Sequence, residues 1–157
     1  MVQPMPESVK WVAVHQYIAT PTGETGFAFN LKLADDEVMM LLALHYWWSG
    51  VLAAGNGSVT LALWRKTDTD PSNVFDEDDS PDMIWSEKHG LKWVTESLVA
   101  SKARDITFPW PIVLIRPPRA IIGTGLFTAM RVTMRLYYTL REVREEDLAR
   151  LMVKDHA

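Results

Sequence analysis

Residues 130 to 141 alternate without a break. Met130, Val132, Met134, Leu136, Tyr138 and Leu140 fall on one side, and Arg131, Thr133, Arg135, Tyr137, Thr139 and Arg141 on the other. Side chains of a strand point to opposite faces with period two, so the run predicts one long strand with an apolar face and a wet, basic face. A helix would spread both sets around its circumference. Shorter runs of the same kind precede it. Residues 11–18 place Trp11, Ala13, His15 and Tyr17 opposite Val12, Val14, Gln16 and Ile18. Phe27, Phe29, Leu31 and Leu33 alternate with Ala28, Asn30 and Lys32, after a turn signal at Pro21, Thr22 and Gly23.

Residues 38–54 carry no formal charge, and three structures compete for them. A transmembrane helix needs about 20 apolar residues, and Gly50 interrupts the run, so no membrane span is expected. An amphipathic or buried helix would gain from Asp35, Asp36 and Glu37 at its N-terminus, with Gly50 just past its end. A strand over residues 37–48, apolar on both faces and followed by a loop through Gly50, Gly55 and Gly57, suits the aromatic run Tyr46, Trp47, Trp48 and is preferred. Adjacent strand residues face opposite ways, so one of Trp47 and Trp48 enters the core. The other then needs cover from outside, which makes both candidate interface anchors.

Further along, residues 58–66 read as a strand and 68–81 as a long acidic loop. Two short strands are expected at 83–86 and 91–96, around a turn at Lys88, His89 and Gly90. Phe108, Pro109, Trp110 and Pro111 fit an edge or crossing segment, since proline cannot donate to a ladder. Pro117 and Pro118 separate apolar runs at 112–115 and 120–122. A short helix over 145–153 closes the chain, with Glu145, Glu146 and Asp147 at its start and an apolar stripe of Leu148, Leu151 and Met152. The sum is an all-β antiparallel sandwich or barrel of about eight strands with one short C-terminal helix. Residues 1–9 form an N-terminal arm, 10–143 the sandwich and 144–157 the helical tail. The first ten residues lack the apolar core of a signal peptide.

Chemistry-bearing patterns are few. There is no cysteine, which excludes disulfides, thiolate metal sites and a Cys nucleophile. The four histidines, His15, His45, His89 and His156, have no metal-ligand spacing. No nucleophile elbow or phosphate loop is present, and an enzyme is not expected. Asp68, Asp70, Ser72, Asp76 and Asp79 repeat the oxygen spacing of a calcium loop, but Asn73 stands where glycine is needed and Asp79 where a longer glutamate is. A solvated acidic loop is the better reading, with calcium at Asp68, Asp70, Asp76 and Asp79 as the alternative. Arg131, Arg135 and Arg141, with Arg116 and Arg119 as further members, could line a basic sheet face. In a protein of net charge −4 that face reads as a subunit interface or solvated surface before a nucleic-acid site. The charge is also split. Residues 1–100 hold six Lys/Arg and fourteen Asp/Glu, whereas 101–157 hold ten and six. Acidic and basic surfaces of that kind can pair across a self-interface.

With the strands in order, the chain resembles the small single jelly-roll capsid proteins of tailless viruses and phages. The resemblance is one of architecture and spans most of the chain. It is carried by the block DITFPWPIVLIRPPR at residues 105–119 and by the strand RVTMRLYYTL at 131–140 with its acidic helical tail. It implies a jelly-roll β-sandwich, eight strands in two facing sheets, that assembles with itself, and with other capsid proteins, into a closed shell around a genome. The implied place is the virion, assembled in the host cytoplasm. Capsid proteins of this kind often carry a basic N-terminal arm. Here residues 1–8 have no basic residue, so direct nucleic-acid contact through an arm is not implied. A shell over a separately condensed genome or an internal membrane fits better. The second reading is a carbohydrate- or ligand-binding β-sandwich using exposed members of the seven tryptophans. A cupin-like enzyme ranks third, because it lacks the metal-binding residues.

If the acidic loop holds calcium, millimolar calcium in low-salt buffer should raise the melting temperature, since a ligand that binds only the native state stabilises it. An unchanged melting curve would mark the loop as simply solvated.

Overall fold

A computed structural model describes residues 8–18, 23–65, 82–125 and 127–156. Its elements are β1 (Lys10–Ile18), β2 (Gly23–Ala28), β3 (Glu37–Trp64), β4 (Met83–Leu114), β5 (Arg119–Gly125), β6 (Phe127–Glu142) and α1 (Glu145–His156). All pairings are antiparallel. β3 is 28 residues long and β4 is 32, and each serves both sheets, so the chain makes eight strands in two antiparallel sheets. The first sheet has the order β1, β6, residues 37–52 of β3, then residues 98–114 of β4. The second has the order β2, β5, residues 58–64 of β3, then residues 83–90 of β4.

The sheets pack face to face. Val14, Met39, Leu44, Trp48, Met134 and Leu136 from the first sheet share one buried cluster with Val59, Leu61, Leu63, Ala120 and Ile122 from the second. Tyr46 lies 5.7 Å, ring to ring, from Trp85, although its ladder partner is Arg104, so that contact crosses the sandwich. Each fully buried Leu, Met or Val contributes about 1.5–3 kcal/mol, which is the main favourable term holding the layers together.

The terminal strand behaves as its alternation requires. Met130, Val132, Met134, Leu136 and Tyr138 are buried, Leu140 packs against the same core, and Arg131 and Arg141 are exposed. Residues 38–48 are strand, not helix. Their doubly apolar character has a specific cause, a register shift between Leu41 and Ala43 against β6 and β4. An extra residue in one strand reverses the faces beyond it. Met39 and Leu41 before the shift, and Leu44, Tyr46 and Trp48 after it, therefore all reach the core.

Three local expectations fail. No loop occupies Gly50 to Gly57. Gly50 pairs with both Ala100 and Met130, and Gly57 pairs with Leu91. These glycines mark the place where β3 passes from the first sheet into the second. Lys88, His89 and Gly90 form no turn and pair with Thr60, Val59 and Ser58 inside β4. The second strand ends at Ala28. Phe29 is buried beyond it, and the Leu31 amide donates to the Phe29 carbonyl at 2.8 Å, a tight turn that breaks the ladder. In each case the local signal is weaker than the partners the neighbouring strands supply or withhold.

The closing helix begins one residue after Arg144, with Glu145, Glu146 and Asp147 in its first turn. Leu148 and Leu151 are half-buried and Met152 is exposed. Among the described residues no helix is long and apolar enough to cross a membrane.

Met134→Asp places an unpaired charge in the closed core and should cost at least several kcal/mol, enough to prevent soluble folding. Arg135→Asp, one position along, should fold, losing about 1 kcal/mol of stacking on Trp11. Soluble yield and circular-dichroism melting of the two variants check this; equal damage would refute the assignment of faces.

Candidate functional site

The outward face of the first sheet gathers most of the sequence-derived interface residues. Register sets their rows. Trp11, Tyr137, Ala43 and Thr107 stand side by side on β1, β6, β3 and β4. The next rows are Ala13, Arg135, His45, Asp105, then His15, Thr133, Trp47, Ala103, then Tyr17, Arg131, Ser49, Ser101. Trp11 is 58% exposed, Tyr17 62% and Trp47 38%. Trp48 is 2% exposed and belongs to the core, so the outward member of the tryptophan pair is Trp47.

Two arginines of β6 lie over aromatic rings of β1. The Arg135 guanidinium carbon is 4.4 Å from the Trp11 ring centroid, and that of Arg131 is 5.6 Å from Tyr17. Such stacking is worth about 0.5–1 kcal/mol at exposed sites and holds both side chains extended along the sheet. Polar pairs complete the face. His15 Nδ1 is 2.9 Å from Thr133 Oγ1, and His45 Nδ1 is 2.6 Å from Asp105 Oδ1. The result is an aromatic and guanidinium-rich surface on three neighbouring strands.

The other predicted residues do not join it. Arg141 faces the same way on β6 but pairs with Val38 at the far end, about 33 Å along the strand from Arg131. There it lines a cleft of about 390 Å³ between the sheet and α1, with Met40, Val113, Asp147 and Leu151. Arg119 starts β5 in the second sheet, packed so closely over Gly26 that a side chain there would meet its Nε at 2.7 Å. Asp68, Asp70, Asp76 and Asp79 lie outside the described residues. Among the described residues no group of three or more His, Asp or Glu could hold a metal.

A second polar cluster, invisible in the sequence, spans the two sheets where β4 forms their shared edge. Arg104 donates to Glu87 Oε1 at 2.6 Å. Lys102 Nζ is 3.1 Å from His89 Nδ1, and His89 Nε2 is 3.0 Å from the Tyr46 hydroxyl. A protonated lysine has only donors, so Nδ1 accepts, and the neutral ring donates through Nε2 to the Tyr46 oxygen. Burial, then the Glu87 carboxylate, push the Tyr46 hydroxyl up to about 12. Burial, then the Lys102 ammonium, lower the pKa of His89. Both ring nitrogens are engaged, so His89 braces the two sheets against each other. Glu87 and His89 lie 13 to 17 residues from Lys102 and Arg104, and Tyr46 lies 43 residues from His89. No local spacing signals the group.

No protein-family model matches this chain, and no curated protein is significantly similar to it.

Folded His89 holds its proton less tightly than the ordinary value of 6.5, so in acid the unfolded chain binds more protons than the folded one. The stability it confers is fully present above the unfolded value and is lost as pH falls through the folded one. Melting temperature should drop on acidification from about pH 7.5 to about pH 5, and His89→Gln should flatten that dependence. Parallel melting profiles for the two proteins would remove His89 as the titrating group.

Proposed function

We propose that this chain is a structural subunit that assembles with copies of itself into a closed shell, a capsid protein of single jelly-roll type. The observation that carries the reading is the outward face of the first sheet. Trp11, Tyr17 and Trp47 stand exposed beside Arg131 and Arg135, and aromatic residues and arginine are the types enriched where protein surfaces meet. Exposed aromatic rings gathered on one sheet face call for a partner, and repeated copies supply one through symmetric contacts.

Strand order supports the jelly-roll assignment. β1 pairs with β6, β2 with β5, and the two parts of β3 with the two parts of β4. That is the order produced when one long antiparallel ribbon is wrapped into two sheets.

The second reading, a carbohydrate-binding module, draws on the same exposed rings. It is less favoured because a sugar stacks on an open aromatic face, and Arg135 and Arg131 already lie over Trp11 and Tyr17.

Size-exclusion chromatography and negative-stain microscopy of the purified chain should reveal defined oligomers or particles. Trp47→Ala should weaken association by about 2 kcal/mol, as truncated interface hot spots do, while leaving the melting temperature of the subunit unchanged. Raised salt should loosen the assembly if charge pairs across the contacts. A chain that stays monomeric at high concentration across salt and pH would defeat the shell reading and turn attention to glycan binding.

A further inference from the structure

Trp110 is 82% exposed, more than any other large apolar side chain described. Its setting is stiff. Proline fixes its own φ and restricts the residue before it, and here Pro109 and Pro111 flank the tryptophan. The ladder opens to make room. Leu41 pairs with Ile112 and Ala43 with Thr107, so residues 108–111 of β4 have only Leu42 opposite them on β3. A large exposed ring on a bulged, double-proline edge is a knob whose backbone has little freedom left to lose on docking.

A hole lies beside it. The cleft between the first sheet and α1 begins at Val113, three positions along the same strand, and has an apolar floor of Met40, Val113 and Leu151. Its volume of about 390 Å³ falls within the range of small-ligand pockets, about 300–1,000 Å³. Trp110 of the same chain points to solvent and does not fill it. The rim carries both signs, Arg141 and Arg144 with Glu142 and Asp147. Two copies of this rim can therefore meet with each cation facing the other's carboxylate, where a single-sign rim would repel itself. A carboxylate at the rim can also accept the indole N–H, which a buried tryptophan needs satisfied.

We propose that the Trp110 indole of one copy seats in the Met40, Val113 and Leu151 cleft of a second copy, and reciprocally, across a two-fold axis. Knob and hole adjoin on one strand and so lie in one surface patch, which suits an isologous contact, each copy giving and receiving the same group. The inference rests on the shell reading and specifies one of its contacts, separate from the Trp47 face.

The test is sedimentation velocity of the full chain over a range of concentrations, with melting curves in parallel. Trp110→Ala touches nothing buried and should leave the melting temperature unchanged while weakening association at least about 30-fold, the ~2 kcal/mol of an interface hot spot. Leu151→Ala should weaken the same step. Because the two side chains meet in one contact, the double variant should associate no more weakly than the worse single one. Trp110→Phe should recover part of the loss. If Trp110→Ala assembles like the unaltered chain, or if the two effects simply add, this contact is overturned and the shell reading stands. If the unaltered chain never associates, both are overturned.

Discussion

Hydrogen bonding of β3 to partners on both sides is what the rest of the structure depends on. It pairs with β6 and β4 over residues 37–52, and with β5 and β4 over 58–64. One strand therefore supplies an inner member of both sheets. Its phase sets which side chains meet between them, and within the first sheet the register shift at Leu42 sets that phase for residues 43–50. Were the shift absent, Leu44, Tyr46 and Trp48 would turn outward while Met39 and Leu41 stayed in, and the core would lose its largest side chains. The same shift turns Trp47 out onto the face that bears Arg131 and Arg135.

The sandwich leaves β4 as the shared edge of both sheets, with β3 as its only strand partner among the described residues. Unpaired edges invite unwanted strand addition, and charges that point inward or prolines that interrupt the ladder discourage it. Both devices are present. Glu87, His89, Lys102 and Arg104 meet across the gap between the sheets, and Pro109 and Pro111 lie within the bulge, on either side of Trp110. Edge protection and the proposed Trp110 contact share one segment, since the prolines that interrupt the ladder also flank the exposed tryptophan.

On the opposite side of the first sheet, stacking explains why the outward aromatics are tolerable in a monomer. A guanidinium over an indole or phenol ring shields part of its apolar face while keeping its own charge hydrated. The surface stays compatible with water while remaining rich in the residue types that carry binding energy where protein surfaces meet.

Period-two alternation over residues 130 to 141 assigns a strand and its buried face, and the weaker runs before it extend this to an all-β architecture, because side-chain direction along a strand is a local property of the backbone. The acidic start and apolar stripe of α1 were legible for the same reason. Turns are less legible. The glycines between 50 and 57 and the Lys88 to Gly90 stretch carry turn composition, yet strand pairing continues through both. Trp47 and Trp48 could not be told apart, since the extra residue at Leu42 is defined only against β6 and β4. The outward cluster of Trp11, Tyr17, Trp47, Arg131 and Arg135 comes from three strands, and the Tyr46, Glu87, His89, Lys102 and Arg104 cluster from both sheets. The chain by itself determined which segments extend and which of their faces are apolar. Tertiary structure alone decided the register between distant strands, and with it which side chains share a surface, because that choice rests on hydrogen bonds and packing between residues far apart in sequence.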